Sequence, residues 1–260
     1  STKAKKKKGD NYLNPEFEII TDDALPETSK NELENFLKVW LSSHINEVLE
    51  DLINLTKKKI SNQYLRALSF RLFENNGIIK RIEIDQIIKL ISKEERKKLW
   101  AMGIKIGRYH VFLPKMLKPK AVLLRTKLWK LYYDISKNIY IPKFGLNFVL
   151  NENFDSKLLL ICGFEKFQNF FVRVDMLEKL FINIMDKTVN KKFTISPEMM
   201  NLLGCTKDNF YKLMELMNYK KTKEIDTYFF AGDSKKIRKK VYNKKNSESP
   251  FNKLLSLNIK

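Results

Sequence analysis

Residues 101–133, AMGIKIGRYHVFLPKMLKPKAVLLRTKLWKLYY, carry eight basic side chains and no acid within a run apolar enough to form folded core. Lys105, Arg108, Lys115, Lys118, Lys120, Arg125 and Lys127 are the groups whose type and spacing suit a polyanion, because lysine and arginine bind phosphate oxygens and displace condensed counterions. Tyr109 and Phe112 supply rings on which an exposed base could stack. The distribution of charge singles this segment out. Of the net +20, residues 1–10 carry +4 and residues 235–260 carry +8. The +8 left for residues 11–234 is accounted for entirely by residues 101–133. Only eight of the 50 basic residues are arginine, and asparagine and isoleucine abound, as an AT-rich genome would produce without selection. Such a bias spreads lysine evenly, whereas here it is concentrated. A solvated basic face is the alternative reading.

Other chemistry finds little support. None of the eight glycines is followed by Lys and then Ser or Thr, so the phosphate-cradling loop of nucleotide hydrolases is missing. His44 and His110 have no carboxylate or cysteine at metal-ligand spacing, and Cys162 and Cys205 lack a CxxC partner, so no metal site is expected. No residue stands out as a general acid or base. No apolar run is long enough to cross a bilayer and no signal peptide opens the chain, so a soluble, reducing, cytoplasmic setting is expected. The chain starts at Ser1 within a lysine-rich stretch that reads as a linker, as the trimmed end of a longer protein would.

The elements that must position the basic groups follow from periodicity. Residues 29–52 open with a capping-box pattern, Ser29 to Glu32, and place Leu33, Phe36, Leu37, Trp40, Leu41, Ile45, Val48, Leu49 and Leu52 at three- and four-residue spacing, as an amphipathic helix does. Helices are also expected over 61–76, ending at Asn76-Gly77, over 82–91, and over 92–102 with Ser92 and Glu95 as a second capping box. The first hundred residues therefore read as helical throughout. Residues 104–114 are β-branched and aromatic and read as extended. Pro119 suits the first turn of a helix over 120–135, on which Lys120, Lys127 and Lys130 share one stripe.

Past residue 150 the texture changes. Residues 158–174 read as two short strands, Asp175 caps a helix, FTIS is extended, Ser196-Pro197 opens a short helix ending at Gly204, and Thr206 opens a longer one before an alternating stretch. Helix, strand, short helix, longer helix and β-wing is the order of a winged helix-turn-helix. Lys207, Asn209, Tyr211 and Lys212 would then begin its last helix, with Lys220, Lys221 and Lys223 on the wing. The expected fold is mainly α: a basic tail or linker over 1–28, a helical nucleic-acid-binding module over 29–150, a winged-helix-like α+β module over 151–234, and a basic disordered tail over 235–260.

Gly103, Lys105, Gly107, Phe112, Pro114, Leu117, Lys118, Pro119 and Trp129 resemble a segment of the helicase-related proteins of alphaproteobacteria. RVDMLEKL at 173–180 and LLGCT at 202–206 resemble two further segments of that family in the same order, so the likeness spans about residues 17–222. Lys105 stands where the family more usually has arginine, which suits a point contact with phosphate better than a bidentate one. The resemblance implies a region C-terminal to a superfamily-two ATPase core, similar in that core to the mitochondrial RNA helicase of the degradosome. ATP and Mg²⁺ would belong to that core, whose motifs this chain lacks.

The expected function is thus a non-catalytic accessory region of an ATP-dependent helicase, binding single-stranded RNA or DNA without sequence preference. Its partners would be nucleic acid and a helicase core in cis or in trans, with no membrane. Two alternatives stay open. One is a stand-alone regulator gripping duplex DNA through its winged helix, which would need Lys207 and Lys212. The other is a structural adaptor docking onto a helicase core.

Overall fold

The computed structural model describes residues 3–7, 12–20, 26–57, 60–135, 141–150 and 156–232, with the backbone alone at 3–7 and 17–20. The tail over 235–260 lies outside the described residues. Within residues 1–28, β1 (Lys3–Lys7) and β2 (Glu16–Ile20) pair antiparallel. The helical first half follows as α1 (Glu27–Val48), α2 (Glu50–Lys57), α3 (Gln63–Glu74), β3 (Ile78–Lys80), α4 (Arg81–Lys89), α5 (Lys93–Ala101), β4 (Lys105–Ile106), β5 (His110–Phe112) and α6 (Pro119–Tyr132). Then come β6 (Phe148–Leu150), α7 (Ser156–Ile161), β7 (Phe164–Phe167), β8 (Phe170–Arg173), α8 (Val174–Asp186), β9 (Lys192–Thr194), α9 (Pro197–Leu203), α10 (Lys207–Leu216), β10 (Tyr219–Lys221) and β11 (Thr227–Phe230). The fold is α+β. Two compact units divide it, residues 1–183 with 201–204 and residues 184–200 with 205–260.

Local chemistry explains where the helices start and stop. Ser92 Oγ accepts from the Glu95 backbone N–H while Glu95 Oε2 accepts from that of Ser92, so the expected capping box opens α5. Asn62 Oδ1 accepts from the N–H groups of Tyr64 and Leu65 and opens α3. Asn76 and Gly77, at φ of 57° and 82°, turn the chain out of α3. The capping box expected at Ser29 does not form, because α1 already starts at Glu27 after Pro26. Leu41, Ile45, Leu49 and Leu52 are buried as expected, but Leu33, Phe36 and Trp40 are exposed, and the Trp40 ring stacks on His44 instead of entering the core.

Each three-stranded antiparallel sheet has the same strand order, with the last strand in the middle: β3-β5-β4, β6-β8-β7 and β10-β11-β9. The sequence α, β, α, α, β, β occurs from α3 to β5 and again from α8 to β11. The first hundred residues are therefore not helical throughout, since β3 interrupts them, whereas residues 104–114, expected as extended, hold β4 and β5. The three-residue strand β3 pairs Ile78 with Phe112 and Lys80 with His110. Residues 158–161, expected as strand, belong to α7, and the following hairpin β7–β8 receives β6 on its far edge. That edge strand ends at Leu150, where the sequence suggested a boundary between modules.

The core of the first unit is formed by leucines and isoleucines of α1 to α5 with Val111, Leu113, Met116, Ala121 and Leu128. One member of the acid-free segment sits inside the protein with them. Arg125 has no exposed surface, donating from Nη1 to the Asn76 carbonyl at 2.5 Å and from Nη2 to the Met116 carbonyl. These two carbonyls lie at the exit of α3 and in the 3-10 turn Pro114–Leu117, so one guanidinium joins two chain reversals to α6. Burial lowers its pKa to about 10, with the nearby Tyr12 and Cys162 acting the other way. Its place in the core removes Arg125 from the phosphate-binding set. Arg125→Ala leaves both carbonyls without their donor and opens a cavity, so urea unfolding should register a loss of about 3 kcal/mol. Unchanged stability would mean that other groups satisfy those carbonyls.

Candidate nucleic-acid interface

Phosphate contacts need cations in solvent and a scaffold to hold them, and the scaffold here begins at the β4–β5 turn. The Gly107 N–H donates to the His110 carbonyl at 2.8 Å and closes the turn. Glu178, from α8, caps its backbone: Oε2 accepts from the Arg108 N–H at 2.5 Å, and Oε1 from those of Tyr109 at 2.9 Å and His110 at 2.8 Å. On the other side the Arg81 guanidinium donates to the Gly107 carbonyl at 2.8 Å and the Arg81 N–H to the Tyr109 carbonyl at 2.8 Å. A Cβ at position 107 would overlap the Glu178 carboxylate, which explains the glycine there. Gly107 to His110 is therefore a built turn that follows Lys105 in β4.

Beneath the turn lies a buried polar cluster. His110, 2% exposed, has Nε2 at 3.3 Å from Glu165 Oε2. Its Nδ1 is 3.7 Å from Glu178 Oε1, too far for a hydrogen bond but close enough to feel the charge. Lys80 Nζ donates to Glu165 Oε1 at 2.5 Å. Burial opposes protonation of His110, but the hydrogen bond to Glu165 and the charges of both carboxylates outweigh it and raise the pKa. Burial likewise pushes Glu165 up, and His110 and Lys80 more than reverse it. The cluster packs beneath the turn and supports it.

The predicted basic groups divide sharply. Lys105, Lys118, Lys120 and Lys127 are exposed, and none forms an ion pair with the described residues. Lys120 and Lys127 share a stripe of α6 with the half-buried Lys130, as the wheel indicates. Lys115 is instead held by Asp51, at 2.8 Å from Oδ1, and the hydrogen bond and charge of that carboxylate raise its pKa. Arg108 is half-buried in the clamped turn. Phe112 is 3% exposed and cannot stack on a base, being packed with Ile78 and Val174. Tyr109 is half-buried with its ring edge-on to Phe181 at 5.8 Å, so it too is packed rather than presented.

In the second unit Lys207 and Lys212, five residues apart on α10, point about 140° away from each other. Lys207 donates to Asp226 Oδ2 at 2.9 Å and lies 5.4 Å from the Tyr211 ring centroid, while the Tyr211 hydroxyl donates to Asp226 Oδ1. Hydrogen bonding to Tyr211 and Asp226 raises the Lys207 pKa. Lys221 Nζ lies 5.5 Å from the centroid of the same ring, and Lys212, Lys220 and Lys223 are exposed. Asn209 is half-buried, with its N–H spent on the Thr206 cap. Lys207 and Tyr211, taken as nucleic-acid contacts, are thus engaged with an acid of the β10–β11 turn.

Among the described residues no group of three His, Cys, Asp or Glu side chains could hold a metal ion, and no helix is long and apolar enough to cross a membrane. Comparison with protein-family models, curated proteins and solved structures finds no match.

The buried histidine gives a pH signature. A raised folded-state pKa means that His110 contributes stability that is complete below its unfolded value of about 6.5 and is lost as the pH rises through the folded value. The lowered pKa of Glu165 contributes stability above about 4.5 that is lost as the pH falls through its folded value. Wild-type protein should therefore lose more stability than His110→Gln in thermal melts as the pH rises from about 6.5 through the folded-state pKa. Parallel curves for the two proteins would show that His110 has the same pKa folded and unfolded.

Proposed function

We propose that the chain is a non-catalytic accessory region of an ATP-dependent helicase, holding single-stranded nucleic acid by its phosphates without reading its bases. The observation that carries this reading is the set of solvent-exposed lysines, Lys105, Lys118, Lys120 and Lys127, that have no carboxylate partner among the described residues, on a segment where Arg125 and Lys115 are used internally. The resemblance of residues 103–129, 173–180 and 202–206 to the helicase-related family of alphaproteobacteria supports the parent activity, with ATP and Mg²⁺ belonging to an ATPase core outside this sequence. Contacts by lysine are point contacts on a flexible stem, which suits a strand of any sequence that must slide. RNA and DNA strands satisfy the same chemistry, and the helicase core is the expected protein partner.

The order of elements from α8 to β11, with its terminal β-hairpin and sheet order β10-β11-β9, supports a winged-helix reading of that stretch. Its use as a grip on duplex DNA is weakened by Asp226, which occupies Lys207 and Tyr211. Sequence-blind binding of single strands is accordingly preferred to a duplex regulator.

The reading is tested with oligonucleotides at several salt concentrations. The variant Lys118→Glu, Lys120→Glu, Lys127→Glu should weaken binding of every single-stranded sequence alike. It should also flatten the slope of log affinity against log salt by about 2, at about 0.7 for each phosphate no longer neutralised. Lys115→Ala, which removes a lysine already paired with Asp51, should leave affinity unchanged. Equal affinity of the triple variant and the parent would dismiss the α6 stripe as the binding surface.

A further inference from the structure

The most exposed aromatic ring among the described residues is Trp100, 74% accessible, near the end of α5. It has no ring partner and no cation over its face within the described residues. An indole of that size left in water on a well-anchored helix calls for an explanation, because the rest of α5 is firmly oriented. Leu99 is fully buried, and Glu95 is turned inward to the Ser92 cap and to the Asn62 side chain. At 100° per residue, Arg96, Trp100, Lys93 and Lys97 then follow one another around an outward arc of about 100°. No acid interrupts it. The exposed Glu94 lies about 60° beyond Lys97.

Lys93 and Lys97 are exposed and form no ion pair with the described residues. Arg96 donates from Nη2 to the Ile88 carbonyl at 3.2 Å, which steadies the guanidinium beside the indole while leaving its other N–H groups for a ligand. Counting from the N-caps Ser92 and Thr206, the matching positions of α10 are Lys207, Phe210, Tyr211 and Met214. There the cation is tied to Asp226, and the phenylalanine and the methionine are buried. The two helices hold the same place in the repeated element order, yet only α5 presents its face open.

We infer that this face of α5, built from Lys93, Arg96, Lys97 and Trp100, is a stacking site for an unpaired base, with the flanking cations on the adjoining phosphates. A flat π surface bordered by three positive groups is complementary to a nucleotide, whose base and phosphate need one of each. Base-paired strands keep their faces stacked on each other, so the occupant is single-stranded. The site rests on the proposed function and adds to the α6 lysines a contact that senses bases rather than charge alone.

The test uses the full chain with Trp40→Phe and Trp129→Phe, so that Trp100 is the remaining tryptophan, titrated with an oligothymidylate. Quenching of its emission that saturates with binding is expected, and Trp100→Ala in the native chain should lower affinity for the single strand about tenfold with little change for duplex. Lys93→Glu with Lys97→Glu, both on exposed positions, should reduce the affinity as well. Silent Trp100 emission during binding that still depends on Lys118, Lys120 and Lys127 would overturn the α5 site and leave the proposed function standing. Absence of any oligonucleotide binding by the native chain would overturn both. Quenching by polyglutamate but not by oligothymidylate would also overturn the α5 site, by assigning the face to an acidic protein.

Discussion

The Glu178 carboxylate at the β4–β5 turn is the interaction on which the first unit most depends. Three consecutive backbone N–H groups converge on its two oxygens, and without it they would face a nearly dry interior. A carboxylate is the side chain best able to satisfy them, because it accepts without donating and carries a charge that strengthens each bond. Its own desolvation is offset by the same three donors. The requirement also runs backward into the sequence, since the carboxylate can approach only where position 107 has no Cβ. A residue of α8 and a glycine about seventy positions earlier are thus parts of one constraint.

A second constraint explains how so much unpaired charge can lie beside so much core. The eight cations of residues 101–133 have separate fates determined by what surrounds each one. Arg125 is enclosed, with Nη1 and Nη2 bound to backbone carbonyls, which accept from a guanidinium without contributing a countercharge, and with Nε left without a partner. Lys115 meets a carboxylate from α2 across the surface. Lys105, Lys118, Lys120 and Lys127 stay in water. With Arg108 and Lys130 half-buried, absence of acids within the segment therefore marks several different physical situations, and only the four lysines in water are fully open to an external anion.

Much of the helical architecture was readable because its signals are local. Ser92 and Glu95, Asn76 and Gly77, and Thr206 act within four residues of themselves, and their caps and stops appear where expected. The α6 stripe of Lys120, Lys127 and Lys130 was legible for the same reason, being a matter of spacing on one helix. What escaped depends on partners distant in sequence. β3 is three residues long and is extended only because β5 lies about thirty residues ahead to receive it. Residues 158–161 are an unbroken apolar run, which periodicity cannot divide between helix and strand. Arg125 looked like its neighbours, since nothing in one helical wheel reveals that two carbonyls from other elements wait on its side. The α5 face escaped because residues 11–234 outside 101–133 are neutral overall, and a net charge does not show that Lys93 and Lys97 share an open side of one helix with Trp100.

The recurrence of one strand order in three sheets puts these observations on a common footing. In each sheet the hairpin follows directly on a helix, and α5 and α10, which hold the same place in the repeated order, differ in how the cations of that helix are met. On α10 the closure is internal: Asp226 from the β10–β11 turn neutralises Lys207 and holds the Tyr211 hydroxyl, and the ring receives Lys221. On α5 Lys93 and Lys97 form no ion pair with the described residues, and the turn of the hairpin that follows is held through its backbone N–H groups by Glu178 of α8. The acid that closes one copy acts on side chains, and the acid that serves the other acts on the backbone.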